Sequence, residues 1–185
     1  MTLTYYSGDA PNLSPVELAL YGKCDPVRQM VRSAIRRYVA AHREILTGRL
    51  LDYGCGKPGT CAVPQPYRPI LTCSEYVGWE PGDELALSNT FDSLICTQVI
   101  QLVEDPVEDF DYFFSVLRPG GHAVITYPVA WEEIETELWR FTTKGAWKLA
   151  HDAGFDVVDQ STLCRVVLDG ALSLSLVNGM VLRKS

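Results

Sequence analysis

Arg49-Leu50-Leu51-Asp52-Tyr53-Gly54-Cys55-Gly56, continuing as Lys57-Pro58-Gly59, is the stretch on which the fold of this chain turns. A short apolar run that ends in an acid and breaks on glycines reads as a buried strand opening into a tight turn at its carboxyl end. Downstream, residues 76–79 form a second such strand, closed by Glu80 and the Pro81-Gly82 breaker, and residues 91–97 form a third. Asp105-Pro106 opens a helix carrying Val107, Phe110, Phe113, Phe114 and Leu117 along one side; Pro119-Gly120-Gly121 ends it, and residues 122–127 return to strand. A helix over 143–153 stops at Gly154, and two β runs, 155–167 and 172–182, flank the turn residues Asp169-Gly170. Strands alternating with helices and then a hairpin predict an α/β fold, with a Rossmann-like doubly wound, mostly parallel sheet and a C-terminal antiparallel hairpin.

Upstream of the first strand, Ser14, Pro15 and Glu17 read as a helix N-cap, an N1 proline and a capping-box acid. Val27, Met30, Val31, Ile35, Tyr38 and Val39 then recur at helical spacing over 26–46. Residues 1–47 are therefore expected to be two helices that form a lid over an α/β unit at 48–185, the whole being a single domain. Residues 57–75 carry Pro58, Pro64, Pro66 and Pro69, which no long helix tolerates, so an irregular loop is expected there.

The balance of charge limits what the chain binds. Sixteen Lys and Arg against twenty-three Asp and Glu leave a net charge of −7, so there is no net positive field to hold a phosphate backbone, and nucleic-acid partners are not expected. No apolar run approaches the roughly 20 residues of a membrane span, and residues 1–10 lack a basic start and an apolar run, which predicts a cytoplasmic protein without a membrane anchor. The six cysteines form no CxxC pair and the three histidines are scattered, so no metal site is expected.

Gly54-Cys55-Gly56-Lys57-Pro58-Gly59 matches G-x-G-x-x-G, and Glu80 follows at about the spacing of a ribose-binding acid, which alone is compatible with NAD. A pyrophosphate, however, needs the turn to open straight into a helix, and the prolines weaken that helix. Asp52 at the strand end would repel a pyrophosphate and favour a cationic ligand.

Taken together, Leu50 to Gly56, Pro66-Tyr67-Arg68-Pro69, Tyr76-Val77-Gly78-Trp79-Glu80, the run from Phe91 through Thr97-Gln98-Val99-Ile100, and Val116-Leu117-Arg118-Pro119-Gly120-Gly121-His122 resemble the class I S-adenosylmethionine-dependent methyltransferases, over about residues 48–160. Trp139-Arg140-Phe141-Thr142 and Ala153-Gly154-Phe155 resemble the small-molecule and sugar branch, of the methyltransferase type 11 kind. The resemblance implies S-adenosylmethionine as cofactor. It implies that Asp52 and the Gly54-Cys55-Gly56 turn cradle the methionine part and that Glu80 accepts from both ribose hydroxyls, a task suited to the two oxygens of a carboxylate. It implies an adenine pocket of Trp79 or Pro81 finished by Asp83, Glu84 or Leu85, and a floor beneath the sulfonium of Thr97 and Gln98. Few residues separate Glu80 from Phe91, so the family's third strand is expected to be short or missing.

Where many relatives carry Glu-His, this chain has Gln101-Leu102, and leucine cannot take a proton. Methyl transfer is an in-line displacement at an activated carbon, so alignment lowers much of the barrier without a base. Candidates for the catalytic edge are Gln98, Gln101, Tyr127, Glu132 and Arg140; Tyr5, Tyr6, Trp131, Trp139 and Arg140 are candidates for contacting a small-molecule acceptor. For Arg140 an ion pair with a nearby glutamate competes with an anion clamp. The expected activity is methyl transfer to oxygen or nitrogen of a small metabolite or biosynthetic intermediate. The alternatives are intramolecular cyclisation or elimination of S-adenosylmethionine, and a silent cofactor-binding subunit. The edge of the terminal hairpin suits a homodimer.

Overall fold

A computed structural model describes residues 3–6, 15, 26–56, 66–80, 88–130, 135–168 and 172–185. Its strands are β1 (Leu3–Tyr6), β2 (Arg49–Tyr53), β3 (Glu75–Trp79), β4 (Phe91–Thr97), β5 (Leu117–Pro128), β6 (Phe155–Leu168) and β7 (Leu172–Lys184). Its helices are α1 (Pro26–Ala41), α2 (Pro106–Val116) and α3 (Thr143–Asp152). The sheet runs β1-β6-β7-β5-β4-β2-β3. β5, β4, β2 and β3 are mutually parallel, whereas β7, β6 and β1 add on antiparallel, which is the mixed α/β sheet expected of a class I methyltransferase.

The strand apolar runs are continuous because both faces are covered, and consecutive side chains go to opposite layers. Leu51, Leu94, Cys96, Ile125 and Leu182 pack beneath α2 and α3 against Phe110, Phe113, Ala146 and Ala150. Leu50, Ile95, Val124, Val177 and Val181 meet Met30, Val31, Ile35, Tyr38 and Val39 of α1 on the other face. The Asp105 carboxylate accepts from Val107 N at 2.8 Å and caps α2, with a proline at its first turn. The far end of α2 is closed by Lys184, whose ammonium is buried and donates to Phe114 O, Leu117 O and Asn89 Oδ1 at 2.7, 2.8 and 3.0 Å.

Three expectations are corrected. The helical reading of residues 1–47 fails at 3–6, where β1 pairs antiparallel with Arg165–Leu168 of β6 because that long strand presents an edge to it. α1 ends at Ala41 and residues 42–46 are turns. The strand expected to begin at residue 122 begins at Leu117, pairing with Phe91 through a register shift that takes up the Pro-Gly-Gly segment. The helix read from Ser14 and Glu17 lies outside the described residues, as does the Asp169-Gly170 turn.

β5 ends at Pro128, opposite Val177, so residues 172–176 of β7 and 165–168 of β6 stand beyond the carboxyl edge of the parallel strands. β1 lies along that overhang, with Tyr5 opposite Val166 and Tyr6 opposite Arg165.

Candidate functional site

β2 is the strand from which the chain leaves to one side for β3 and later returns on the other side as β4, so its carboxyl end is the switch point where open α/β sheets hold ligands. Asp52 through Gly56, Glu80 and Thr97-Gln98 all converge there. Gly54 and Gly56 are left-handed, at φ +75° and +79°. A Cβ on Gly54 would lie 2.4 Å from Val99 Cγ2, so the turn tolerates no side chain at that position. Gly54 N and Cys55 N both donate to Trp79 O, at 2.8 and 3.3 Å, and Gly56 N donates to Glu80 Oε1. The turn after β2 is thus tied to the end of β3, and the acid that caps its amide is Glu80.

Asp52 is only 2% exposed. Its register partners are Gly78 on β3 and Ile95 on β4, and Tyr76 Oη donates to its Oδ2 at 2.5 Å. Burial pushes its carboxyl up to about 7, the Tyr76 hydrogen bond pulls it down, and the neighbouring Glu80 pushes it up again. Cys55 is likewise raised, to about 11, by burial first and then by Asp52 and Glu80. A buried acid in a glycine turn, with a second acid beside it, is a place for a cationic, hydroxyl-bearing ligand.

At the end of β4, Gln98 takes φ +58°, a left-handed conformation unusual outside glycine. Its backbone N donates to Thr126 O at 3.0 Å and its Nε2 to Thr126 Oγ1 at 3.3 Å. Gln101, 4% exposed, donates from Nε2 to Gln98 O at 2.9 Å, leaving its buried Oε1 without a partner. Gln101 O in turn accepts from Leu138 N and Trp139 N at 2.9 and 3.1 Å, and Trp139 Nε1 donates to Val103 O at 2.8 Å. A segment at 138–139 is therefore strapped onto the loop after β4.

Tyr127 is 1% exposed, its ring edge-on to Phe141 and its hydroxyl accepting from Gln160, so the core has taken it. Arg140 is paired with Glu137 at 2.5 Å, the structural alternative to an anion clamp. Trp79 is half-buried and stacks on Tyr53, centroids 4.5 Å apart, against the α2 side. Pro81, Asp83, Glu84, Leu85, Trp131 and Glu132 lie outside the described residues, and Tyr5 and Tyr6 are described only as backbone. Tyr76 and the strap were missed. Period-two alternation puts Tyr76 and Gly78 on one face of β3, but only the register with β2 brings that face to Asp52. Among the described residues no His, Cys, Asp and Glu cluster could hold a metal, and no helix is long and apolar enough to cross a membrane.

This sheet order, with a glycine turn at the switch point and acids at the ends of β2 and β3, defines a class I S-adenosylmethionine-dependent methyltransferase fold. The sequence profile of the family described as a methyltransferase domain matches residues 27–168, and the chain belongs to that family. An S-adenosylmethionine-dependent methyltransferase from Mesorhizobium loti superposes with a TM-score of 0.59 at 16% identity, over 84% of this chain and 100% of that one. A 1,6-didemethyltoxoflavin-N1-methyltransferase from Burkholderia thailandensis, solved with its substrate and S-adenosylhomocysteine, gives 0.56 at 20% identity over 98% and 95%. The [4+2]-cyclase SpnF gives 0.53 at 19% identity over 73% and 61%. No curated protein matches the chain. S-adenosylmethionine is the cofactor that family and fold indicate.

Proposed function

We propose that the protein transfers a methyl group from S-adenosylmethionine to oxygen or nitrogen of a small metabolite or biosynthetic intermediate. The observation that carries this reading is the buried Asp52 carboxylate at the end of β2, flanked by two left-handed glycines and by Glu80. These residues fit the cofactor: the left-handed backbone at Gly54 and Gly56 forms the turn beside Asp52, and two acids stand where an ammonium and a vicinal diol need acceptors. When bound, the cofactor supplies a methyl group activated by a sulfonium.

The chain's own residues then divide five tasks. Asp52 and the Gly54-Cys55-Gly56 turn hold the cationic amino-acid end, and Glu80 gives up its contact with Gly56 N to accept from ribose hydroxyls. Pro81, Glu84 and Leu85 complete the adenine side. Thr97 and Gln98, the latter pinned by Thr126 and Gln101, fix the floor at the β4 edge. Tyr5 and Tyr6 on the overhang, Trp131, Glu132 and the strapped Trp139 and Arg140 bound the acceptor side, closing the site to water around a small molecule. Catalysis then rests on alignment, since the loop after β4 offers neutral amides at Gln98 and Gln101 and apolar Leu102 in place of a base. The reading extends to a homodimer through the terminal hairpin, which a single-chain mass by light scattering would overturn.

Calorimetric titration with S-adenosylhomocysteine and, separately, with NAD tests the reading. It requires binding of the first alone, and binding of NAD alone overturns it. The neutral loop after β4 also favours a second reading, in which the cofactor itself is cyclised or eliminated. Chromatography of S-adenosylmethionine incubated without any acceptor separates the two, because only the second releases methylthioadenosine or a cyclised amino acid in quantity.

A further inference from the structure

Tyr76 stands out among the polar side chains that the site has not absorbed. It is held from three directions. Its ring packs against the core on the α1 face, the Arg68 guanidinium lies 6.0 Å from its centroid, and its hydroxyl reaches across the sheet to Asp52 Oδ2 at 2.5 Å. The reach exists because Gly78, directly opposite Asp52, carries no side chain, so the residue two places earlier on the same face of β3 fills the gap diagonally. We propose that Tyr76 is a positioning residue for cofactor binding: its hydroxyl holds Asp52 Oδ2 and so orients the carboxylate to present Oδ1 to the cofactor's ammonium. This inference rests on the reading that Asp52 holds the amino-acid end of S-adenosylmethionine.

The physical argument is one of unequal donors. An ionised carboxylate shut away from water needs hydrogen-bond donors, and Tyr76 supplies the side-chain donor to Asp52. The other titratable groups facing Asp52 among the described residues work against its charge or leave it unaided: Glu80 at the end of β3 repels it, and the Cys55 and Cys96 thiols, from the turn and from β4, are themselves held neutral. Tyr67 and Arg68 reach Tyr76 from the single 3-10 turn at Arg68–Ile70, and so fix the donor. The Tyr76 hydroxyl is raised far above its ordinary range by burial and by Asp52, so it stays a donor at every working pH.

The test is calorimetry of S-adenosylhomocysteine and of 5′-methylthioadenosine, which lacks the amino-acid end, on wild type, Tyr76→Phe and Asp52→Asn from pH 6 to 9. Wild-type affinity for S-adenosylhomocysteine is expected to rise with pH and level off above about pH 7, and Asp52→Asn is expected to lose that rise, apart from the ligand's own titration. In Tyr76→Phe the rise moves to higher pH by about one unit, affinity at pH 7 falls about 5- to 10-fold, the gap closes toward pH 9, and binding of methylthioadenosine is unchanged. A wild-type profile in Tyr76→Phe, or equal loss for both ligands at every pH, overturns the role given to Tyr76. A wild type that binds neither ligand, or whose pH profile survives in Asp52→Asn, overturns the underlying reading of the site instead.

Discussion

Replacing Asp52 by Asn should make the ligand-free protein more stable, and more so as the pH rises. Asp52 is buried at 2% exposure, and its carboxyl is raised from 3.8 to about 7, chiefly by loss of water. A group with a raised pKa in the folded state contributes stability that is complete below its unfolded pKa and is lost as the pH climbs through its folded one. The window therefore runs from about pH 4 to about pH 7, and each pH unit within it costs about 1.4 kcal/mol. Over an accessible range of roughly pH 4.5 to 8.5 the wild type should lose about 3 kcal/mol that Asp52→Asn retains, because the amide keeps an acceptor for Tyr76 and has no proton to give up. Urea unfolding of both proteins at matched pH, with the difference taken at each point, cancels every other titrating group. The difference should climb in favour of Asn and flatten above about pH 7.5. A difference that is flat, or that climbs toward acid as for an ordinary ion-paired carboxylate, refutes the argument that burial dominates this site.

Lys184→Met removes the cation that closes α2 and leaves Phe114 O and Leu117 O without a donor, so it should cost about 2 to 4 kcal/mol in chemical unfolding; a loss under about 0.5 kcal/mol would mean water reaches those carbonyls. Gly54→Ala should abolish binding of S-adenosylhomocysteine, since the methyl group meets both a left-handed backbone and Val99, and retained affinity by calorimetry would place the ligand away from the turn. Trp139→Phe breaks the bond to Val103 O and loosens the strap, so steady-state kinetics should show a raised KM for the acceptor with cofactor affinity kept; loss of cofactor affinity instead would put the strap on the other side of the site.

The parallel half of the sheet was legible because each of its strands is a burial problem solved locally. Leu50-Leu51 and Leu94-Ile95-Cys96 are apolar on both faces, as a strand between two helical layers must be, while Gly54 and Pro81 mark where strands stop and Pro106 where α2 starts. Leu3–Tyr6 is marked only by Ser7-Gly8-Asp9 after it, and four residues alone are too few to declare a strand. They become one because Arg165–Leu168 offers an edge, and that partner lies at the far end of the chain. The same distinction divides the site. Asp52, the glycines, Glu80 and Gln98 could be set at the carboxyl ends of β2, β3 and β4 from the sequence because strand ends and turns fix where they sit.

Relations across strands could not be read in the same way. Whether Tyr76 meets Asp52 depends on parallel register, since a shift of one residue along β3 would turn its hydroxyl to the α2 face and set Val77 or Trp79 opposite the acid in place of Gly78. Whether Arg140 clamps an anion or pairs with Glu137 depends on how the strap lies over Gln101, which a chain of backbone hydrogen bonds decides. Asp52 therefore has its position from its own strand and its charge from the neighbouring one. A methyltransferase turn grafted with Asp52 and both glycines but with phenylalanine in place of Tyr76 should hold the cofactor's adenosine end normally and its ammonium only at alkaline pH.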